Sequence, residues 1–119
     1  MQYALLFYNP PHTEIPESDR ERVLGDMVQE MGSWIGDLQR AGVFRTTLRL
    51  APVDAATSLR QQGRDVLVTD GPFAETKEIL GGLVLLECAD REEALRWARR
   101  CPLVRIGTVE LRPEWGPAR

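Results

Sequence analysis

Residues 80–88 read Leu80-Gly81-Gly82-Leu83-Val84-Leu85-Leu86-Glu87-Cys88. This nearly continuous apolar run predicts a strand that is apolar on both faces, and such a strand belongs in the middle of a sheet covered on both sides. Tyr3-Ala4-Leu5-Leu6-Phe7-Tyr8 near the start has the same property, since Tyr3, Leu5 and Phe7 alternate with Ala4, Leu6 and Tyr8. Two central strands therefore frame the chain, and the other elements can be placed around them.

Working outward, Asn9 to Glu17 form a Pro-rich connection. Ser18-Asp19-Arg20-Glu21 then reads as a capping box opening a long first helix. Leu24, Met27, Val28, Met31, Trp34, Ile35 and Leu38 follow at helical spacing, and Gly42 ends the helix. Gly25, Gly32 and Gly36 share a narrow sector beside the apolar face, although each interior Gly costs about 0.5–1 kcal/mol relative to Ala. Two readings stand side by side: a tolerated solvent flank, or close approach by a backbone, a partner subunit or a ligand.

Residues 44–51 predict a second strand closed by Pro52. Residues 56–60 and 65–69 flank Gln61-Gln62-Gly63-Arg64 as a hairpin. Asp90 caps a second helix, with Glu93 completing the pattern and Arg99 and Arg100 in its last turn. Ile106 to Arg112 predicts the last strand. With the hairpin taken as an insertion, the order is βαββαβ, the ferredoxin-like α+β pattern. Two helices cover only one sheet face, whereas both central strands are apolar on both. A second subunit over the other face, making a homodimer, resolves the conflict.

At 119 residues the chain is long enough for one hydrophobic core. We assign residues 1–113 to a single domain and 114–119 to a C-terminal tail. With 43% hydrophobic and 28% charged residues the composition is globular rather than disordered. A net charge of −3, without a basic block, argues against nucleic acid. The apolar start lacks a basic n-region and is too short to span a membrane, so a cytoplasmic protein is expected. Cys88 in an apolar strand and Cys101 before Pro102 read as buried packing thiols, without disulfide or metal spacing. One His and two separated Cys make a conventional zinc site improbable. No cofactor fingerprint is present, and neither metal nor cofactor is expected.

Between the hairpin and the second central strand lies Thr69-Asp70-Gly71-Pro72-Phe73-Ala74-Glu75-Thr76-Lys77-Glu78. Together with Leu80-Gly81-Gly82, Ala94-Leu95-Arg96-Trp97-Ala98, Cys101-Pro102 and Gly107 to Pro113, it resembles DGPF-domain proteins, part of the YCII-related group, over essentially the whole chain. The resemblance implies a dimeric α+β barrel of ferredoxin-like units with a cleft between helices and sheet. It also implies, for the broader group, small enzymes with a His–Asp pair in that cleft. This sequence departs from that pattern. Its only histidine, His12, lies in the Pro-rich loop, Met31 occupies the helical position where the family histidine aligns, and Cys101 stands in place of the aspartate. The resemblance further implies genes found beside alternative sigma factors, which motivates a regulatory reading.

Asp70 is the leading polar candidate. At a strand end it is placed to accept a substrate proton or orient a donor, and equally to accept backbone N–H bonds in its own turn. Pro72 is expected to hold Gly71 extended and so fix Asp70 relative to Phe73. Phe73 is expected to plug the core edge or line a pocket. Lys77 belongs either to a solvated loop or to a loop over the cleft, paired with an acid. Gly81-Gly82 marks a bulge or a close approach. Tyr8, Glu110 and Arg112 supply further polar groups near strand ends, while Trp34 and Trp97 pack and Trp115 suits a dimer contact.

The expected function is binding of a small organic molecule in a cleft bordered by Tyr8, Asp70, Phe73, Lys77 and Arg112. If the protein is an enzyme, the expected chemistry is cofactor-independent proton transfer or elimination, with Asp70 as catalytic base and Lys77 or Arg112 stabilising an anion. The alternative is a non-catalytic ligand-sensing or partner-binding module associated with transcription regulation through a sigma factor.

Overall fold

In a computed structural model, which describes residues 1–10 and 16–116, the two apolar strands pair antiparallel at the centre of a four-stranded sheet. They are β1 (Gln2–Asn9) and β5 (Ile79–Glu87), flanked by β2 (Phe44–Arg49) and β6 (Thr108–Pro113) in the order β2-β5-β1-β6. Helices α1 (Glu17–Arg40) and α2 (Arg91–Arg99) complete the ferredoxin-like βαββαβ order. The predicted insertion is a separate two-stranded ribbon, β3 (Thr57–Gln62) with β4 (Asp65–Asp70). Among the described residues, no helix is long and apolar enough to cross a membrane.

One sheet face is sealed by the helices. Tyr3, Leu5, Phe7, Val84, Leu86 and Cys88 are buried there with Trp34 and Leu38 of α1, Ala94 and Ala98 of α2, and Cys101 and Leu103 of the short 3-10 turn that follows. Trp34 organises the contact. Its ring meets Phe7 edge-on with centroids 6.4 Å apart, and its Nε1–H donates to the Trp97 carbonyl at 3.1 Å, tying α1 to α2. The opposite face, with Ala4, Leu6, Leu83 and Leu85 half-buried and Leu48 exposed, carries no helix among the described residues.

Two local expectations need correction. The Ser18 capping box does not form. α1 begins at Glu17 with Pro16 in the cap position, and among the described residues no side chain caps it. The restricted φ of proline and the acids Glu17 and Asp19 in the first turn suit the helix start without a side-chain bond. Val28 of the expected apolar stripe is 59% exposed, because only the second half of α1 reaches buried positions at Trp34 and Leu38. At α2 the cap is as expected: Asp90 accepts from the Glu93 N–H at 2.9 Å, and Glu93 accepts from the Ala89 N–H at 2.8 Å. Among the described residues, a Cβ on Gly25 or Gly32 would meet nothing within 4 Å beyond its own helix, whereas one on Gly36 would lie 3.4 Å from the Arg40 guanidinium.

The glycines at the sheet end are in close contact. A Cβ on Gly82 would lie 2.7 Å from the Leu48 carbonyl oxygen, and one on Gly107 would lie 2.2 Å from that of Tyr8. The β1–β5 register slips at Phe7/Tyr8, leaving Gly81 as the extra residue of a bulge. The ribbon, by contrast, stands apart from the core, with Leu59, Val66, Leu67 and Val68 each at least half exposed. The radius of gyration is accordingly 16.7 Å, against roughly 13–14 Å for a compact domain of this length.

Candidate functional site

The polar candidates fall into two groups. On the uncovered sheet face, β1 and β6 pair with Ala4 opposite Arg112, Leu6 opposite Glu110, and Tyr8 opposite Thr108. Strand alternation therefore places Tyr8, Glu110 and Arg112 on one surface. The Tyr8 hydroxyl donates to Glu110 Oε1 at 3.3 Å, and Arg112 Nε lies 3.4 Å from the same oxygen. A phenol, a carboxylate and a guanidinium thus stand in a row at the margin of an apolar floor of Ala4, Leu6, Leu83 and Leu85. Beside them, the Thr108 hydroxyl donates to the Glu78 carboxylate at 3.0 Å, which draws the loop carrying Lys77 to this end of the sheet.

The second group lies at the base of the ribbon. Asp70 pairs with Thr57, the Gly71 N–H donates to the Ala56 carbonyl at 2.7 Å, and the Ser58 hydroxyl donates to the Gly71 carbonyl at 2.7 Å. These bonds, and a Gly71 φ of +97°, define the turn. That φ is one side-chain-bearing residues rarely adopt, so the turn depends on glycine as well as on Pro72. The Asp70 side chain is exposed and makes no hydrogen bond among the described residues, so it does not cap its own turn. Phe73 is 80% exposed and plugs nothing, because the turn sits on the projecting ribbon rather than at the core edge. Lys77 is exposed and has no ion-pair partner among the described residues. His12 lies outside the described residues. Trp115 is 97% exposed.

One residue at this sheet end escaped sequence reasoning. Asn9 is wedged between two glycines: a Cβ on Gly81 would lie 3.1 Å from its Nδ2, and one on Gly107 would lie 2.7 Å from its Oδ1. Its Oδ1 is buried without a hydrogen-bond partner among the described residues. In the sequence it reads only as the first residue of a Pro-rich loop. The glycines on either side, distant in sequence, were the available signal.

Behind the sheet, Cys101 Sγ and Met31 Sδ lie 3.9 Å apart. The positions where the resemblance set a His–Asp pair are therefore neighbours, but their contact is thiol to thioether and provides no acid–base couple. Burial pushes the Cys101 thiol up to about 11. Burial, reinforced by the nearby Glu93 carboxylate, pushes Cys88 up to about 11 as well. Both thiols are therefore expected to resist 5,5′-dithiobis(2-nitrobenzoate) at about pH 8 in the folded protein and to react promptly in denaturant. Rapid modification of the native protein would contradict this. Among the described residues, no three His, Cys, Asp or Glu side chains are grouped to hold a metal ion.

On the outer side of the helical layer, an open cleft of about 450 Å³ separates α1 from the end of α2 and the turn after it. Asp37 of α1 pairs with Arg40 and, across the cleft, with Arg100 at 2.6 Å. The Arg40 hydrogen bond, aided by Arg100 and opposed by partial desolvation, holds the Asp37 carboxyl below its ordinary value. A lowered carboxyl stabilises the fold at neutral pH, and that contribution is lost as pH falls through its folded-state value.

The antiparallel sheet, its strand order and the one-sided helices define a ferredoxin-like domain. More narrowly, the chain belongs to the YCII-related family, whose domain model matches residues 1–115. An uncharacterized protein of Rhizobium meliloti is 38% identical over 117 residues, covering 95% of this chain and 91% of that one. Among solved structures, the chain is similar to 5-chloro-2-hydroxyhydroquinone dehydrochlorinase from Burkholderia phenoliruptrix, determined in complex with 2,5-dihydroxybenzoquinone. The TM-score is 0.53 at 12% identity, covering 99% of this chain and 96% of that one, a likeness of fold.

Proposed function

We propose that this protein is a homodimer that binds a small organic molecule on the helix-free side of its sheet, bordered by Tyr8 and Arg112 and by the turn and loop carrying Asp70, Phe73 and Lys77. The observation that carries the reading is the uncovered apolar floor of Ala4, Leu6, Leu83 and Leu85 with the Tyr8–Glu110–Arg112 row at its margin. An apolar surface with a few convergent polar groups is the usual composition of a small-molecule site. A second copy over the floor would enclose it. The ribbon supports the same reading. Leu59, Val66 and Val68 share one of its faces by register, and a two-stranded ribbon is marginal in water unless something packs on it. The structural neighbour's name describes an elimination on a chlorinated hydroxyquinol, so hydroxylated aromatics and quinones are the first ligands to try.

Binding is better supported than catalysis. Among the described residues the exposed Asp70 has no partner to orient it, and the Met31–Cys101 contact supplies no proton-transfer pair. Together these two observations favour a non-catalytic ligand-sensing or partner-binding module over a proton-transfer or elimination enzyme using Asp70, and the link to a transcription regulator rests on the family resemblance alone.

Light scattering at micromolar concentration is expected to give twice the chain mass, and Leu6→Glu to give the chain mass with the helix content retained. A wild-type monomer would sink the dimer. Thermal-shift titration with 2,5-dihydroxybenzoquinone and catechol is expected to raise the melting temperature, and Arg112→Ala to abolish the rise. Equal shifts in Arg112→Ala and Asp70→Asn proteins would remove both residues from the site.

A further inference from the structure

We propose that the cleft between α1 and the end of α2 is a second binding site, independent of the sheet-face site, for a small aromatic carboxylate. The helical spacing of Glu30, Ser33, Trp34 and Asp37 makes one wall from a single stripe of α1, and Arg99 to Arg105 make the other. The buried Trp34 and Cys101 lie at its base, with Pro102 and Val104 beside them as apolar contact surface.

The chemistry around this base is unusually rich in guanidinium. Arg100 pairs with Asp37 at 2.6 Å and stacks over the Trp97 ring at 4.8 Å, and Arg105 pairs with Glu30 across the cleft. Arg99 has no ion-pair partner among the described residues. Three arginines face two carboxylates, so the cleft carries an excess positive charge. A cation at the end of α2 answers the helix dipole, which accounts for Arg99 or Arg100 but not for Arg105 beyond the helix. Both cross-cleft pairs are solvent-exposed, with arginine side chains more than half accessible. Exposed pairs contribute little, so sharing their arginines with an incoming anion costs little.

A guanidinium binds a carboxylate through two parallel N–H bonds, and its flat face accepts an aromatic ring. A ligand with a carboxylate on Arg99 and Arg105 and a ring against Trp34, Pro102 and the Arg100 plane satisfies each feature. The cleft volume of about 450 Å³ suits a molecule of one or two rings.

The test is a titration of the full ¹⁵N-labelled chain with 2-naphthoate, with 2-naphthalenemethanol and sulfate as separate controls. Saturable amide shifts confined to residues 30–37 and 99–105 are expected from 2-naphthoate alone. Arg99→Ala and Arg105→Ala, both surface changes, are each expected to weaken binding by about tenfold or more, with the rest of the spectrum unchanged. Arg105→Lys is expected to recover only part of the loss, because an ammonium cannot reproduce the bidentate geometry. Any of three results would overturn the proposal: no saturable shift, equal shifts from the alcohol, or equal shifts from sulfate. Shifts at Tyr8 and Arg112 instead would also overturn it while supporting the sheet-face site, so the two readings fail separately.

Discussion

Trp34→Ala is expected to destabilise the protein by about 3–5 kcal/mol, the range for deleting a large buried aromatic. For a domain of this size that lowers the melting temperature by on the order of 10–25 °C. Trp34 is 3% exposed and touches both the sheet, through Phe7, and α2, through the Trp97 carbonyl. Removing it opens a cavity where α1 meets the sheet and α2, and takes from the Trp97 carbonyl one of its two donors, the other being the Arg100 N–H at 3.1 Å. Trp34→Phe separates the two effects, since it keeps most of the ring but cannot donate. Its expected cost of about 1 kcal/mol is that of one hydrogen bond. Thermal or urea unfolding measures both, and a loss below about 1 kcal/mol for the alanine variant would show that α1 is not held by this residue.

Gly107→Ala is expected to cost about 3 kcal/mol, at the upper end of overpacking penalties. The new methyl would fall 2.2 Å from the Tyr8 carbonyl oxygen and 2.7 Å from Asn9 Oδ1. The first is backbone and cannot rotate away, so β6 must separate from β1 at that end. The Tyr8–Thr108 pairing, the Tyr8–Glu110 hydrogen bond and the Thr108–Glu78 contact all depend on that junction. The variant is therefore expected to lose ligand-induced thermal shifts at the sheet-face site even at temperatures where it remains folded. Gly32→Ala gives the opposite sign. Among the described residues, nothing beyond its own helix lies within 4 Å of the new methyl, and a helix interior gains about 0.5–1 kcal/mol from the exchange. Loss of stability there would instead show that a partner approaches the α1 glycine flank.

Local signals account for what could be read from the residues. Hydrophobic runs at 2–8 and 80–88 placed the two central strands because a strand buried on one face and half-buried on the other has few polar positions. Asp90 and Glu93 marked the start of α2 because a cap is a contact within four residues. The same logic failed at Ser18, where Pro16 takes the cap position two residues earlier. It failed again at Phe73, since whether an aromatic is buried depends on what lies above it and not on its neighbours in sequence.

The sites were less legible for the same reason. Tyr8, Glu110 and Arg112 were each noticed as polar groups near strand ends, but only the register of β1 with β6 brings them onto one surface. Arg99 and Arg100 read in sequence only as helix-end cations and Arg105 drew no reading, while the acidic partners of Arg100 and Arg105, Asp37 and Glu30, lie on another helix more than sixty residues away. Asn9 reads in sequence only as the start of a Pro-rich connection, and nothing local to it or to Gly107 shows that the two are in close contact.

By itself, then, the sequence determined the elements, their order and the family, because periodicity, caps and turn residues act over a few positions. Tertiary structure alone decided which side chains meet. It brought Met31 to Cys101 as an apolar contact rather than a catalytic pair, left the sheet face open beside a polar row, and set three arginines along one cleft. Those outcomes depend on strand register and on helices crossing a shared sheet, which are long-range properties that no short stretch of residues encodes.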